Sequence, residues 1–247
     1  MFLNIEDKKI IVHFQDEYVS LPEELQKKID SKWSEFINDN PTLWNGDTVC
    51  TYKTNITQDT IELFCQKSNY AHHLYQERVG LSKEYECRSL SAGVLMETKD
   101  GYFVISELEK NTSCPNMLNV PGGGIDKEEI EKDKIDYLKT IIRETKEEVN
   151  IDLNDKKNVE KYHLMGFYLA DEGVKPSAQF FAKAKLNLSK DEMNKHFEDY
   201  YNWLLRNNGE LEIKRLHFLH KNTCLEELDK LNNPKKSYLR PLLEFNT

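Results

Sequence analysis

The stretch that most constrains this chain is residues 119–151, NVPGGGIDKEEIEKDKIDYLKTIIRETKEEVNI. It reads as a strand, a glycine turn, an acidic loop and a helix. Ile135, Leu138, Ile142, Thr145 and Val149 recur at spacings of 3, 4, 3 and 4, an apolar stripe at helical period. At about 100° per residue, Glu144, Glu147 and Glu148 fall on a neighbouring face. Two carboxylates about 6 Å apart repel by roughly 3 kcal/mol at an effective dielectric near 20. Their place near the helix C-terminus adds an unfavourable macrodipole term. A divalent cation reverses both penalties. Mg²⁺ takes carboxylate oxygens and keeps waters that a phosphate can displace. Arg143 stands four residues before Glu147 and is placed to orient it. Gly122, Gly123 and Gly124 let the backbone pass close to a ligand, which makes them a candidate phosphate-proximal loop. No Gly-Lys-Ser/Thr follows them, so this is not a P-loop. With 43 acidic residues in the chain, composition alone favours a plainer reading, a solvated acidic helix end.

The 247 residues suffice for one large domain or a domain with an extension. A net charge of −9 argues against nucleic-acid binding, which needs a basic surface, but not against a nucleotide whose phosphates arrive with a cation. No apolar run reaches transmembrane length, and the first residues show no basic-then-apolar leader pattern, so no membrane association and a cytoplasmic location are expected. The five cysteines lack C-x-x-C spacing, which points to free, mostly buried thiols rather than structural zinc. The sequence leaves the oligomeric state open, a homodimer included.

Residues 1–87 read as an N-terminal α+β extension. A strand is expected over 9–14 and a helix from Ser20 and Pro22 to Ile37, with Leu25, Ile29, Trp33, Phe36 and Ile37 on its apolar face. Strands over 48–56 and 60–66 follow, then a short helix over 69–79 ended by Gly80. Adjacent His72 and His73 point about 100° apart on a helix and chelate poorly, so a structural role is favoured. The segment 69–75, NYAHHLY, carries aromatic and imidazole groups suited to lining a pocket for a sugar or base.

Residues 88–247 read as the main domain. Strands over 89–98 and 102–108 flank a turn at Gly101. Strands over 162–170 and 178–188 come after the acidic helix. Ser189 and Glu192 form a capping box for a helix that Asn207-Asn208-Gly209 stops. A strand over 210–219 and a short helix over 223–231 precede a Pro-containing C-terminal segment.

Gly124 followed by Arg143-Glu144-Thr145-Lys146-Glu147-Glu148-Val149-Asn150-Ile151 resembles the Nudix box, G-x5-E-x7-R-E-U-x-E-E-x-G-U. Four departures stand out. The spacing from Gly124 to Arg143 is about five residues too long. Ile135 takes the upstream Glu position, with Asp133 and Asp136 the nearest acids. Thr145 replaces an aliphatic residue, and Asn150 replaces glycine. The resemblance implies an α/β fold, a Nudix-like α/β/α sandwich with a mixed sheet, and the extension packed on it. It also implies hydrolysis of a nucleoside diphosphate linked to another moiety. Glu144, Glu147 and Glu148 would be ligands of Mg²⁺, with Mn²⁺ as an alternative. Arg143 and Glu147 would serve catalysis, with Glu212 ranked first as general base ahead of Glu210, Asp171 and Glu172. A long loop before the helix and the Glu148-Val149-Asn150 ending are most similar to the branch that cleaves UDP-glucose and UDP-galactose to UMP and a sugar 1-phosphate. Tyr168 sits where dinucleoside polyphosphate hydrolases carry a tyrosine, a light indication. The alternatives are a catalytically weak nucleotide-derivative binding or sensor module, and an ADP-ribose or dinucleotide pyrophosphatase.

Overall fold

The computed structural model describes residues 1–132, 134–170 and 177–247. In chain order the strands and helices are β1 (Phe2–Asn4), β2 (Lys9–Tyr18), α1 (Glu23–Asp39), β3 (Asp47–Ile56), β4 (Thr60–Asn69), α2 (Tyr70–Arg78), β5 (Arg88–Glu97), β6 (Tyr102–Leu108), β7 (Leu118–Asn119) and β8 (Gly122–Gly124). They continue with β9 (Ile130–Glu131), β10 (Lys134–Ile135), α3 (Tyr137–Val149), β11 (Val159–Leu169), β12 (Ala178–Leu186), α4 (Lys190–Arg206), β13 (Ile213–His220), α5 (Cys224–Lys230) and α6 (Leu239–Glu244).

β5 is the strand on which the others are hung. One edge runs parallel to β12 from Leu90 to Glu97. The other edge is shared end to end by β3 at Ser89, β8 at Ser91–Gly93 and β6 at Met96. The result is a mixed sheet of eleven strands among the described residues. The middle of β5 (AGVLM, 92–96) and the first half of β12 (AQFFA, 178–182) are buried on both faces, which suits their largely apolar sequences. Leu90, Ala92, Val94 and Met96 point into one core with Phe180, Ile141 and Val149, where α3 and α4 pack. Leu95 and Phe181 point into the other, against Leu239, Leu242 and Leu243 of α6. Helices on both faces of a mixed sheet give the α/β/α sandwich expected.

Several elements depart from the sequence reading. β1 was not foreseen: three residues carry little pattern, and pairing with β11 (Phe2↔Tyr168) holds them. Cys50 and Thr51 of β3 pair with Ser89 and Arg88 of β5, in keeping with an extension packed on the main domain. The C-terminal segment contains α6, whose Leu239, Leu242 and Leu243 are fully buried. The apolar stripe of α3 is rotated from the one expected. Ile135 lies in the short hairpin β9–β10, and Ile141, Thr145, Glu148 and Val149 face the core. Asn150 ends α3 at φ 56°, the left-handed cap that glycine or asparagine provides.

His72 has the structural role expected. Its Nδ1 lies 2.9 Å from Ser68 Oγ and its Nε2 2.9 Å from the Tyr85 carbonyl. Burial pushes its imidazole pKa down. Trp33 is half-buried against Tyr70. The five thiols are free, four of them buried. Tyr168 is a core residue packed edge-on against Tyr238, not a cleft residue. No described helix is long and apolar enough to cross a membrane.

Candidate active site

A cleft of about 740 Å³ lies over the junction of β5, β8 and α3, roofed by α2, the 44–48 segment and residues 235–238. Gly122, Gly123, Gly124, Arg143, Glu144, Glu147, Glu148 and Glu212 all line it, while Glu210, the alternative base, does not.

The glycine run is not the loop expected. It is strand β8, paired antiparallel to Ser91–Gly93 of β5. The two walls that enclose it explain the need for glycine. A Cβ on Gly122, at φ 154°, would sit 2.3 Å from the Ala92 carbonyl oxygen. A Cβ on Gly123 would sit 2.2 Å from Glu144 Oε1. The N–H of Gly122 donates to Glu148 Oε2 at 3.0 Å, so it is already committed to a carboxylate and not held ready for a phosphate. The glycines admit the acidic helix turn against the sheet.

Glu148 is buried on the packed face of α3, not on a neighbouring polar face. Burial first, then the nearby Glu212 and Glu144 carboxylates, push its pKa well above the ordinary value. Burial, with Glu212 and Glu147, raises Glu144 to about 7 against the pull of Arg143. Glu212 is raised by burial and by Glu210 and Glu147. Its backbone carbonyl is held by the Glu109 N–H at 2.8 Å, which places it at the mouth of the β6–β13 pair.

Arg143 is the cation embedded in this cluster. It was expected to orient Glu147, four residues on, and Nη1 does reach Glu147 Oε2 at 3.5 Å. Its shorter bond is to Glu144 Oε1 at 2.6 Å. It also meets Asp126 at 3.5 Å, Glu129 at 3.6 Å and the Gly124 carbonyl at 3.4 Å.

Glu129 is the site residue that the sequence reading missed. The acids nearest in sequence to Ile135 are Asp133 and Asp136. Asp133 lies outside the described residues, and Asp136 caps α3 through the Lys139 N–H. Glu129 is buried, accepts from Thr140 Oγ1 and from the Asp126 N–H at 3.1 Å, and faces Arg143. Its signal was present as the capping box Asp126-x-x-Glu129. Asp171 and Glu172 also lie outside the described residues.

No family model matches this chain, and no curated protein does. Solved structures do. DR0079 from Deinococcus radiodurans is 13% identical over 64% of this chain and 82% of its own, with a TM-score of 0.43. A MutT Nudix hydrolase from Burkholderia pseudomallei is 14% identical over 66% of this chain and all of its own, TM-score 0.39. The Ap4A hydrolase of C. elegans is 19% identical over 63% of this chain and 93% of its own, TM-score 0.35. At these values the site is read from its own geometry.

The donors there, carboxylates alone, are of the charge and type a hard divalent cation takes. Carboxylates that raise one another's pKa are stabilised by a cation, and a buried carboxylate with few partners is costly without one. Among the described residues no three acidic, imidazole or thiol groups converge on one point. Instead Glu144 is turned to Arg143, and Glu148 to Gly122. The fit is therefore one of chemistry, with Glu144, Glu147 and Glu148 as the residues that would hold the ion.

Proposed function

We propose that this chain is a divalent-cation-dependent hydrolase of nucleoside diphosphates joined to a second moiety, with UDP-sugars as its first substrates. The observation that carries this reading is the gathering of Glu144, Glu148 and Glu212 at one wall of an open cleft, each with a raised pKa. Such a group of mutually repelling carboxylates costs stability, and its place in an open cleft supports a chemical role.

Mg²⁺, when bound, polarises the phosphate oxygens and acidifies a water. Glu212 takes a proton from the attacking water, a task suited to a carboxylate that burial and its acidic neighbours make more basic. The water oxygen bonds to one phosphorus of the diphosphate, the bridging P–O bond breaks, and the leaving phosphate recovers the proton. For a UDP-sugar the products are UMP and a sugar 1-phosphate. Arg143 holds Glu144 and Glu147 in register with the Gly124 carbonyl. Glu129, itself fixed by Thr140, steadies Arg143. Tyr200 donates to the Glu147 carbonyl at 2.7 Å and pins the end of α3.

The test is product chromatography on the purified chain with Mg²⁺ or Mn²⁺. UDP-glucose, ADP-ribose, NADH, diadenosine polyphosphates and nucleoside triphosphates are offered, with Glu148→Gln in parallel. Metal-dependent release of UMP and glucose 1-phosphate, lost in the variant, is expected. Turnover of ADP-ribose without UDP-glucose overturns the UDP-sugar assignment. Cleavage of nothing, with binding intact, overturns the hydrolase.

A further inference from the structure

The cleft extends past the carboxylates to a wall that the reaction above does not use. Tyr70, His73 and Glu77 stand at i, i+3 and i+7 on α2, so a single helix face lines it. Lys236, on the segment before α6, meets that face. Its Nζ lies 3.5 Å from Glu77 Oε1 and 3.7 Å from Cys114 Sγ. The Lys236 and Glu77 side chains are 28% and 14% exposed, partly withdrawn from water yet open to the cleft. Burial opposes the lysine charge, but Glu77 holds its pKa up. At the rim, the Trp44 indole lies over Gly46 and is 79% exposed. The corner is joined to the carboxylate end. The Lys236 N–H donates to the Leu118 carbonyl at 3.1 Å, and the Tyr238 hydroxyl donates to Asn119, three residues before Gly122.

The chemistry of this corner is selective. Glu77 repels a phosphate, and Lys236 repels a cation. An apolar group would strip water from both charges and return no hydrogen bonds. Neutral hydroxyl groups suit both, since each donates to a carboxylate and accepts from an ammonium. The flat face of Trp44 offers a surface for ring C–H groups. We propose that the Glu77–Lys236 corner, with Tyr70 and Trp44 beside it, is a recognition subsite for the paired hydroxyls of a sugar ring in the substrate. This rests on the hydrolase reading of the carboxylate end and gives that reading its substrate class, a nucleotide bearing a free vicinal diol.

The test compares kcat/KM for UDP-glucose, the methyl ester of UDP, and its 2′,3′-dideoxy form, in the native chain and in Glu77→Gln, Lys236→Met and Trp44→Ala. Trp44 is exposed, so its variant leaves the fold intact, and thermal melts check the other two. If glucose occupies the corner, the preference for UDP-glucose over the methyl ester falls about tenfold to hundredfold in Glu77→Gln and Lys236→Met, the range carried by a hydrogen bond to a charged group. If ribose occupies it, the same fall appears between the methyl ester and its dideoxy form. Equal losses on all three compounds, or none, overturn the subsite while leaving the hydrolase standing. If the native chain cleaves nothing, quenching of tryptophan fluorescence by UDP-glucose and by the two esters is read instead. Diol-dependent quenching lost in Glu77→Gln supports the subsite without the hydrolase, and its absence overturns the subsite.

Discussion

Gly122 and Gly123 are neighbours in one short strand, yet alanine at the two positions has opposite expected effects. At Gly123 the new Cβ meets Glu144 Oε1 at 2.2 Å and its Cδ at 2.4 Å, all atoms at the end of a flexible side chain. The carboxylate can swing away, and the strand backbone accepts alanine, which lowers unfolded-state entropy by about 0.4–1 kcal/mol. Stability should therefore stay within about 1 kcal/mol of the native chain. The displaced carboxylate exchanges its 2.6 Å bond to the partly exposed Arg143 for water, a change worth about 0–1 kcal/mol to the fold, but it leaves the place proposed for a metal ligand, so kcat/KM should fall about tenfold to hundredfold. At Gly122 the Cβ meets the Ala92 carbonyl oxygen at 2.3 Å and the Gly93 Cα at 2.5 Å, both backbone atoms of the central strand. Neither can yield without breaking the β5–β8 ladder, and φ is 154°. A loss of roughly 2–5 kcal/mol is expected. The assays are denaturant unfolding of both variants, Mn²⁺ titration by calorimetry, and hydrolysis. Gly123→Ala should lose Mn²⁺ affinity with its unfolding midpoint unchanged. A Gly123→Ala chain with native Mn²⁺ affinity and activity would refute the argument that Glu144 must lie against this strand. A Gly122→Ala chain as stable as the native one would refute the packing argument.

Glu148→Gln should raise the melting temperature in the absence of metal. It removes a buried carboxylate destabilised by Glu212 and Glu144, while the amide oxygen still accepts the Gly122 N–H; about 2–4 °C is expected per kcal/mol relieved. Mg²⁺ should raise the melting temperature of the native chain and not of this variant, and differential scanning fluorimetry reads both. Burial works against the Glu107 carboxylate, but hydrogen bonds from Arg215, Lys214 and His217 hold it down to about 2. Because the folded pKa is depressed, this stabilisation is present above the unfolded value and lost as pH falls from about 5 to 2. With half-exposed partners screening it, the effect is roughly 1–3 kcal/mol. Glu107→Gln should flatten the acid-unfolding curve over that window. Asn150→Gly should stabilise the chain by up to about 1 kcal/mol, and Asn150→Val should destabilise it by roughly 1–2 kcal/mol, because the residue sits at φ 56°. Denaturant midpoints check both.

How much was legible from the sequence follows from the range of the forces involved. Local signals were read well: the strand at 102–108, the Ser189 capping box, the Gly80 stop after α2 and the Asn150 cap each depend on a few neighbouring residues. The R-E-x-x-E-E turn was readable because its carboxylate spacing lies within two helical turns. The three-layer sandwich was reached through resemblance, as periodicity alone names elements and not their order. Tertiary structure decided what is set by contacts between distant segments. It turned the glycine loop into a strand paired with β5, and rotated the α3 stripe so that Glu148 is buried. It gave Arg143 to Glu144 and Glu129, and drew β1 and α6 out of segments with little pattern. It also carried Glu77 and Lys236, 159 positions apart, to 3.5 Å across one cleft. The sequence alone thus determined the local elements and the acidic turn with its helical spacing, since those are properties of side chains and near neighbours. Which of them meet is set by packing, because a pairing across the sheet leaves no mark in the spacing of either partner.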